Sequence, residues 1–182
     1  MPMDLETTIF GPLVADRDCG DCTVCCETLR IDTPDLRKPA NTRCTHLGAQ
    51  GCTIHAVRPD ICRAWFCGWR RAAAMPDAAR PDRSGLLVSL DFVRAPRNVF
   101  EGVAIVIRSL VGRAVFGGAA AAELIDGLCD QMVPVWIHDG EKKVLVHPED
   151  EVANLVLSGA APPAHLRAEV AAWRRLYGVF GE

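Results

Sequence analysis

The chain has 182 residues, a mass of 19.7 kDa and a formal net charge of −3, with 49% hydrophobic and 24% charged residues. This balance is ordinary for a globular protein and excludes a disordered or fibrous chain. Without a basic excess, we expect neither nucleic acid nor a membrane surface as a partner. The cysteines are the unusual feature, because eight of the nine lie between Cys19 and Cys67 and the ninth is Cys129.

The N-terminal sequence indicates the compartment in which these cysteines lie. It is acidic and has no positive region followed by an apolar one, so we predict no signal peptide. The most apolar stretch, residues 102–125, is interrupted by Arg108, Arg113 and Glu123, and we predict no membrane-spanning helix there. We therefore expect a soluble cytoplasmic protein. In a reducing compartment, clustered cysteines bind metal more often than they form disulfides, and a disulfide framework is the second interpretation.

Residues 1–70 form the first predicted region, a cysteine-rich metal-binding module with little sustained helical or strand periodicity. Turn residues such as Gly20, Pro34 and Gly51 recur through it. Such a segment buries too little apolar surface to offset the entropy of ordering its backbone. Bound metal would supply the difference, because a structural zinc ion contributes on the order of 10 kcal/mol to folding.

The first cysteine cluster has the spacing Cys19-x2-Cys22-x2-Cys25-Cys26. A two-residue gap lets one tight turn bring two sulfur atoms to one metal, with backbone N–H groups directed at the thiolates. Isolated pairs of this kind are usual in zinc ribbons, whereas three cysteines at this spacing match the run by which bacterial ferredoxins hold a 4Fe–4S cluster. The ferredoxin continuation C-x3-C-P is absent. A fourth ligand therefore has to come from farther along the chain, and Cys62 is the candidate.

Two neighbouring cysteines complicate a single site. The side chains of adjacent residues diverge in most backbone conformations, so Cys25 and Cys26 do not readily bind one tetrahedral ion. Either Cys26 serves a second centre, or it faces solvent as a reactive thiol.

The second cluster has irregular gaps of seven, nine and four residues. Its members are Cys44, Cys52, Cys62 and Cys67. Eight thiols suffice for two four-thiolate sites, or for one cluster with structural thiols left over. His46 and His55 are alternative ligands, but with so many thiols we expect them beside the ligands or at the surface. Arg43, Arg58 and Arg63 lie near these cysteines in sequence and would offset their negative charge.

Residues 71–182 are predicted to form a small α+β unit. Its first part, residues 71–85, contains two prolines and a glycine and is predicted to be a linker or a surface excursion. The apolar, β-branched runs Leu86–Val93 and Gly102–Leu110 are of strand length.

The rest of this unit is predicted to contain helices and a hairpin. Helical spacing predicts a helix over Ala119–Met132, with Cys129 as an inert core cysteine. The sequences VPVWIH and KKVLVH flank Asp139-Gly140, a pattern typical of a hairpin. A short helix is predicted to open after Pro148 and to end before Gly159. A last helix follows the Pro-Pro pair, and its apolar stripe is Leu166, Val170, Trp173 and Tyr177.

These elements together predict an α+β fold. In it, an N-terminal metal-stapled module packs on a small, mostly antiparallel sheet with helices, and the whole forms one compact domain.

The cysteine region is similar to a known family. The run CGDCTVCC followed by CTHLGAQGCTIHAVRPDICRAW resembles the CxxCxxCC family of zinc- or iron-chelating domains, the YkgJ-like cysteine-cluster proteins. The matching positions are Cys19, Cys22, Cys25, Cys26, Cys44, Leu47, Cys52, Ile54, Arg58, Pro59, Cys62 and Arg63. His55 replaces the usual tyrosine and Trp65 the usual phenylalanine, and neither change removes a thiol. The resemblance covers residues 19–67 and implies metal binding rather than a particular reaction, and Cys67 lies outside the family pattern.

We expect a metal-binding protein that holds an iron–sulfur cluster of the 4Fe–4S type, or zinc, and has a redox or sensing role. The candidate metal ligands are Cys19, Cys22, Cys25, Cys26, Cys44, Cys52, Cys62 and Cys67. No dinucleotide-binding loop, P-loop, G-x-S-x-G elbow or HExxH helix is present, so we assign no catalytic residue.

Three alternatives remain open. One is a cluster-dependent enzyme that transfers methyl groups or electrons together with a protein partner, by analogy with flagellin lysine N-methylases, which carry a similar cysteine cluster. Another is a purely structural zinc site in an interaction protein. The third is a metal chaperone or sensor with Cys26 as its exchangeable thiol.

Overall fold

The computed structural model describes residues 5–179, which divide into two compact units with a boundary between Ser89 and Leu90. The predicted α+β class is confirmed, because helices and strands occur in both units. The first unit extends past the module predicted over residues 1–70 and includes the segment up to Ser89.

The first unit is built from short elements. Its helices are α1 (Leu5–Phe10), α2 (Val24–Thr28), α3 (Asp60–Ala64), α4 (Gly68–Arg71) and α5 (Pro81–Ser84). Two-residue strands pair antiparallel, β1 (Ile31–Asp32) with β2 (Arg37–Lys38) and β3 (Leu47–Gly48) with β4 (Gly51–Cys52). Single 3-10 turns occupy His55–Val57 and Asp77–Ala79.

The cysteine-rich segment of this unit has a very small apolar core. Between Gly11 and Cys67, all of which the structure describes, the buried hydrophobic side chains are Leu36 and Leu47. The unit's larger buried side chains lie outside this segment: Phe10 comes before it, and Trp69 and Met75 are among those that follow it. Hydrophobic burial alone therefore contributes little to ordering the segment that holds the thiols.

The prediction of a linker over residues 71–85 is wrong. Met75 is 5% exposed and Arg80 9% exposed, and the segment contains a 3-10 turn and α5. Pro81 is the first residue of α5, where its fixed φ and missing N–H suit a helix start. Gly85 ends the helix at φ 71°, in the left-handed region that favours glycine. The proline and glycine thus delimit a helix instead of marking a loop.

We expect Gly68→Ala to destabilise the first unit by about 1–2 kcal/mol. A Cβ at Gly68 would lie 2.8 Å from Val88 Cγ1 and 3.1 Å from Val88 Cβ, and a buried valine has little freedom to move away. This overpacking costs about 1–3 kcal/mol and outweighs the ~0.5–1 kcal/mol that alanine gains over glycine in a helix. Urea denaturation measures the change. In the control Gly127→Ala the new Cβ meets nothing within 4 Å, so that variant should be slightly stabilised. Equal effects of the two substitutions would contradict the packing explanation.

A four-stranded sheet has the order β5 (Leu86–Phe92), β6 (Val103–Ser109), β7 (Val135–His138), β8 (Lys143–His147). Strands β7 and β8 are antiparallel across Asp139-Gly140, which confirms the predicted hairpin. Strands β6 and β7 are parallel, with Ile105 opposite Val135, so the four-stranded sheet is mixed. The reason is the long connection between them, since parallel neighbours need a crossover and α7 (Ala119–Cys129) lies within it.

The helices of the second unit pack a hydrophobic core against this sheet. Besides α7 they are α6 (Val99–Gly102), α8 (Asp150–Ser158) and α9 (Arg167–Tyr177), and a 3-10 turn spans Arg113–Gly117. The predicted end of α8 is confirmed, because Gly159 follows it at φ 73°. The core cluster is Phe100, Ala104, Val106, Trp136, Val152, Ala153, Val156, Val170 and Trp173.

Across residues 5–179, no helix is both long enough and apolar enough to cross a membrane.

Candidate metal centre

The adjacent cysteines Cys25 and Cys26 lie on the short helix α2. Successive residues of a helix are rotated by about 100°, so their side chains point in different directions. The two thiols nevertheless lie close enough to interact. This interaction, together with burial, raises the pKa of Cys25, whereas the same interaction and the charge of Lys38 lower the pKa of Cys26 to about 7.

Cys19 and Cys22 are also neighbours of Cys25. The N–H of Cys22 donates to the carbonyl of Cys19 at 2.8 Å, which closes the tight turn predicted for this spacing. The charges of both residues contribute to the raised pKa of Cys25. Burial raises the pKa of Cys22, and the nearby backbone N–H groups of Val24 and Asp82 partly oppose that rise.

Cys67 joins this group from the far end of the cysteine-rich segment. It precedes α4, and its carbonyl accepts a hydrogen bond from the N–H of Arg70 at 3.0 Å at the start of that helix. Burial raises the pKa of Cys67 to about 11, and the charges of Cys19 and Cys22 add to the rise. The residue that lies outside the family pattern is thus a close neighbour of the first cluster.

Two arginines hold the first group in place. Arg17 donates to the carbonyls of Trp69 at 2.6 Å and Ala72 at 3.0 Å, and its guanidinium lies over the Trp69 ring at 5.1 Å. Arg80 donates to the carbonyl of Cys19 at 3.1 Å and pairs with Asp21. Cys19 and α4 are thereby tied to the segment that was predicted to be a linker, and sequence patterns gave no sign of either arginine's role.

The second group forms around Cys26. The N–H of Cys44 donates to the carbonyl of Cys26 at 2.9 Å, and the N–H of Leu47 donates to the carbonyl of Cys44 at 3.0 Å. Cys52 in β4 pairs with Leu47 in β3. The chain thus turns so that Cys44 and Cys52 lie near Cys26.

Cys62 on α3 completes the second group. Burial raises its pKa, and the charges of Cys26, Cys44 and Cys52 raise it further. Its carbonyl accepts a hydrogen bond from Arg58 Nε at 3.3 Å. Spacing alone made Cys62 the candidate fourth member of the first cluster, whereas its thiol neighbours in the structure are those of the second.

Lys38 is a cation beside this second group. The residue is 4% exposed, and its Nζ donates to the carbonyls of Thr42 at 2.8 Å and Pro39 at 3.2 Å. Its charge contributes to the lowered pKa of Cys26. Sequence inspection missed Lys38, because nothing in its local pattern distinguishes it from a surface lysine.

The remaining candidates lie apart from these contacts. The exposed His55 has its Nε2 2.6 Å from an Arg58 guanidinium nitrogen, and the His46 carbonyl accepts the N–H of Thr53 at 2.8 Å. Cys129 is the last residue of α7 and is partly buried, which raises the pKa of its thiol.

All nine cysteines are free thiols. Within residues 5–179, no three His, Cys, Asp or Glu side chains converge closely enough to form a ready-made metal-binding group. The clustered thiols are thus neighbours whose sulfur atoms would have to move closer together to bind one ion. The donor set itself suits soft or borderline metals, since thiolates are the usual ligands of zinc and of iron–sulfur clusters.

In comparisons with family models, with curated proteins and with solved structures, the chain has no significant match. The resemblance of residues 19–67 to the CxxCxxCC domains accordingly stays a prediction.

Proposed function

We propose that this protein binds metal through its N-terminal cysteines, as an iron–sulfur cluster or as zinc. The observation that carries the proposal is the combination of eight free thiols and a very small apolar core between Gly11 and Cys67. A segment with that composition needs another source of folding free energy, and metal–thiolate bonds supply it. The family that this region resembles has the same presumed chemistry.

The polar surroundings of the thiols support metal binding. Backbone N–H groups near the Cys22 and Cys67 thiols oppose the rise in pKa that burial causes, and so favour the thiolate form. Lys38 lies near the second group and would offset part of the negative charge that metal-bound thiolates keep, and Arg80, which also pairs with Asp21 and Asp82, lies near the first. The free state of all nine thiols also suits a reducing compartment, and we propose the cytoplasm.

The test is metal analysis of protein purified without oxygen, with and without reconstitution by Zn²⁺ or by iron and sulfide. We expect bound metal in the wild type and unchanged content in Cys129→Ser. A brown protein with a broad absorption band near roughly 400 nm identifies an iron–sulfur cluster, and a colourless protein with stoichiometric zinc identifies a zinc site. Protein that retains neither metal after reconstitution would show that the proposal is wrong.

A further inference from the structure

We propose that the eight thiols form two separate four-thiolate metal centres. Centre 1 consists of Cys19, Cys22, Cys25 and Cys67, and centre 2 consists of Cys26, Cys44, Cys52 and Cys62. The inference rests on the metal binding proposed above and goes beyond it, since it assigns each cysteine to a centre.

The division begins at α2. Cys25 and Cys26 occupy consecutive positions on this helix and their thiols interact with each other. The other thiol neighbours of Cys25 are Cys19 and Cys22, whereas Cys26 is a neighbour of Cys62. The backbone hydrogen bond from Cys44 to Cys26 holds that segment against α2 at 2.9 Å. One short helix thus contributes a ligand to each centre, which explains why the chain has two cysteines in succession.

The two groups are held by different parts of the chain. Arg80 binds the carbonyl of Cys19 and lies over the Trp69 ring at 6.0 Å, which links the first turn to the helix that follows Cys67. The pairing of β3 with β4 places Cys52 beside the Cys44 turn, and Arg58 binds the carbonyl of Cys62. Apart from the interaction between Cys25 and Cys26 on α2, the electrostatic neighbours follow the same division, because Cys67 is influenced by Cys19 and Cys22, and Cys62 by Cys26, Cys44 and Cys52.

Each group has the composition that a single centre needs. Four thiolates are the full ligand set of a structural zinc ion and also of a 4Fe–4S cluster. Four thiolates around one divalent ion leave a charge of about −2. Lys38 is a cation near centre 2, and Arg80, which also pairs with Asp21 and Asp82, lies near centre 1. Since the sulfurs are neighbours without being in ligand geometry, binding requires them to close around the metal.

The decisive measurement is metal content after removal of two ligands from one group. The probe is the metal that the wild type retains in the assay above, either Zn²⁺ or iron with sulfide. We expect Cys22→Ser/Cys67→Ser to lose half of the wild-type metal and Cys44→Ser/Cys52→Ser to lose the other half. Cys129→Ser is the matched control and should keep all of it.

The outcomes separate this inference from the proposed function. Wild-type protein that retains no metal overturns both. Suppose that the wild type binds metal. If either pair variant then loses all of the metal, the eight thiols form a single centre, and if one pair variant loses none, a different set of thiols binds it. In both cases only the division into two centres is wrong.

Single substitutions on α2 guard against variants that fail to fold. Cys25→Ser and Cys26→Ser each leave three thiols in the affected group and differ by one position on the same helix. In competition with a chelator we expect two populations of bound metal, with Cys25→Ser weakening one and Cys26→Ser the other. If both substitutions weaken the same population, the division is wrong.

Discussion

Removal of the bound metal by a chelator is expected to unfold the segment between Gly11 and Cys67 while the second unit stays folded. Ordering a residue costs roughly 1–2 kcal/mol of backbone entropy, and in this segment Leu36 and Leu47 are the buried hydrophobic side chains. Structural zinc contributes on the order of 10 kcal/mol, so losing it removes more free energy than the segment can replace. The second unit has its own core around Trp173 and Phe100, which does not depend on thiols.

Hydrogen exchange read by mass spectrometry measures this effect region by region. Peptides from the cysteine-rich segment should lose protection when the chelator is added, and peptides from β6 and β7 should not change. Adding back the metal should restore protection. If the segment keeps its protection after all the metal has been removed, the metal does not staple the fold.

Trp173→Ala is expected to destabilise the second unit by about 3–5 kcal/mol. Trp173 is 0% exposed, and its ring packs edge-on against Phe100 at 5.7 Å, lies 5.2 Å from the His147 ring and stacks on Tyr177 at 5.5 Å. Removing the indole leaves a cavity between α9 and its neighbours and breaks all three ring contacts. Because folded domains are stable by only about 5–15 kcal/mol, this loss is a large fraction of the total.

Urea denaturation followed by far-UV circular dichroism measures the loss. Leu176→Ala is the matched control on the same helix, since Leu176 is 58% exposed and an exposed substitution changes stability by about 0.5 kcal/mol or less. A difference of less than about 1 kcal/mol between the two variants would mean that Trp173 does not anchor this core.

Much of the second unit could be predicted from the sequence, because its signals are local. The β-branched runs became β5 and β6 within a few residues of their predicted ends, and Asp139-Gly140 connects a hairpin. Gly159 ends α8 as expected. In the predicted stripe of α9, Val170 and Trp173 are each 0% exposed. These features depend on residues within one or two turns of one another, so periodicity and turn chemistry were sufficient.

Features that depend on distant contacts could not be predicted in this way. The parallel pairing of β6 with β7 follows from the path of a long crossover, and no local pattern specifies it. Residues 71–85 contain prolines typical of a loop, yet Met75 and Arg80 are buried by contacts with residues far away in the chain. Local composition describes what a segment can do when isolated, whereas burial depends on what lies against it.

The cysteines show the same contrast. Their number and spacing alone place the candidate metal ligands within residues 19–67. Which thiols are neighbours was decided by tertiary contacts, namely the backbone bond between Cys44 and Cys26 and the contact of Arg80 with Cys19. A metal centre is defined by distances between sulfur atoms, and in a segment with irregular gaps those distances depend on how the chain folds back, which spacing does not encode.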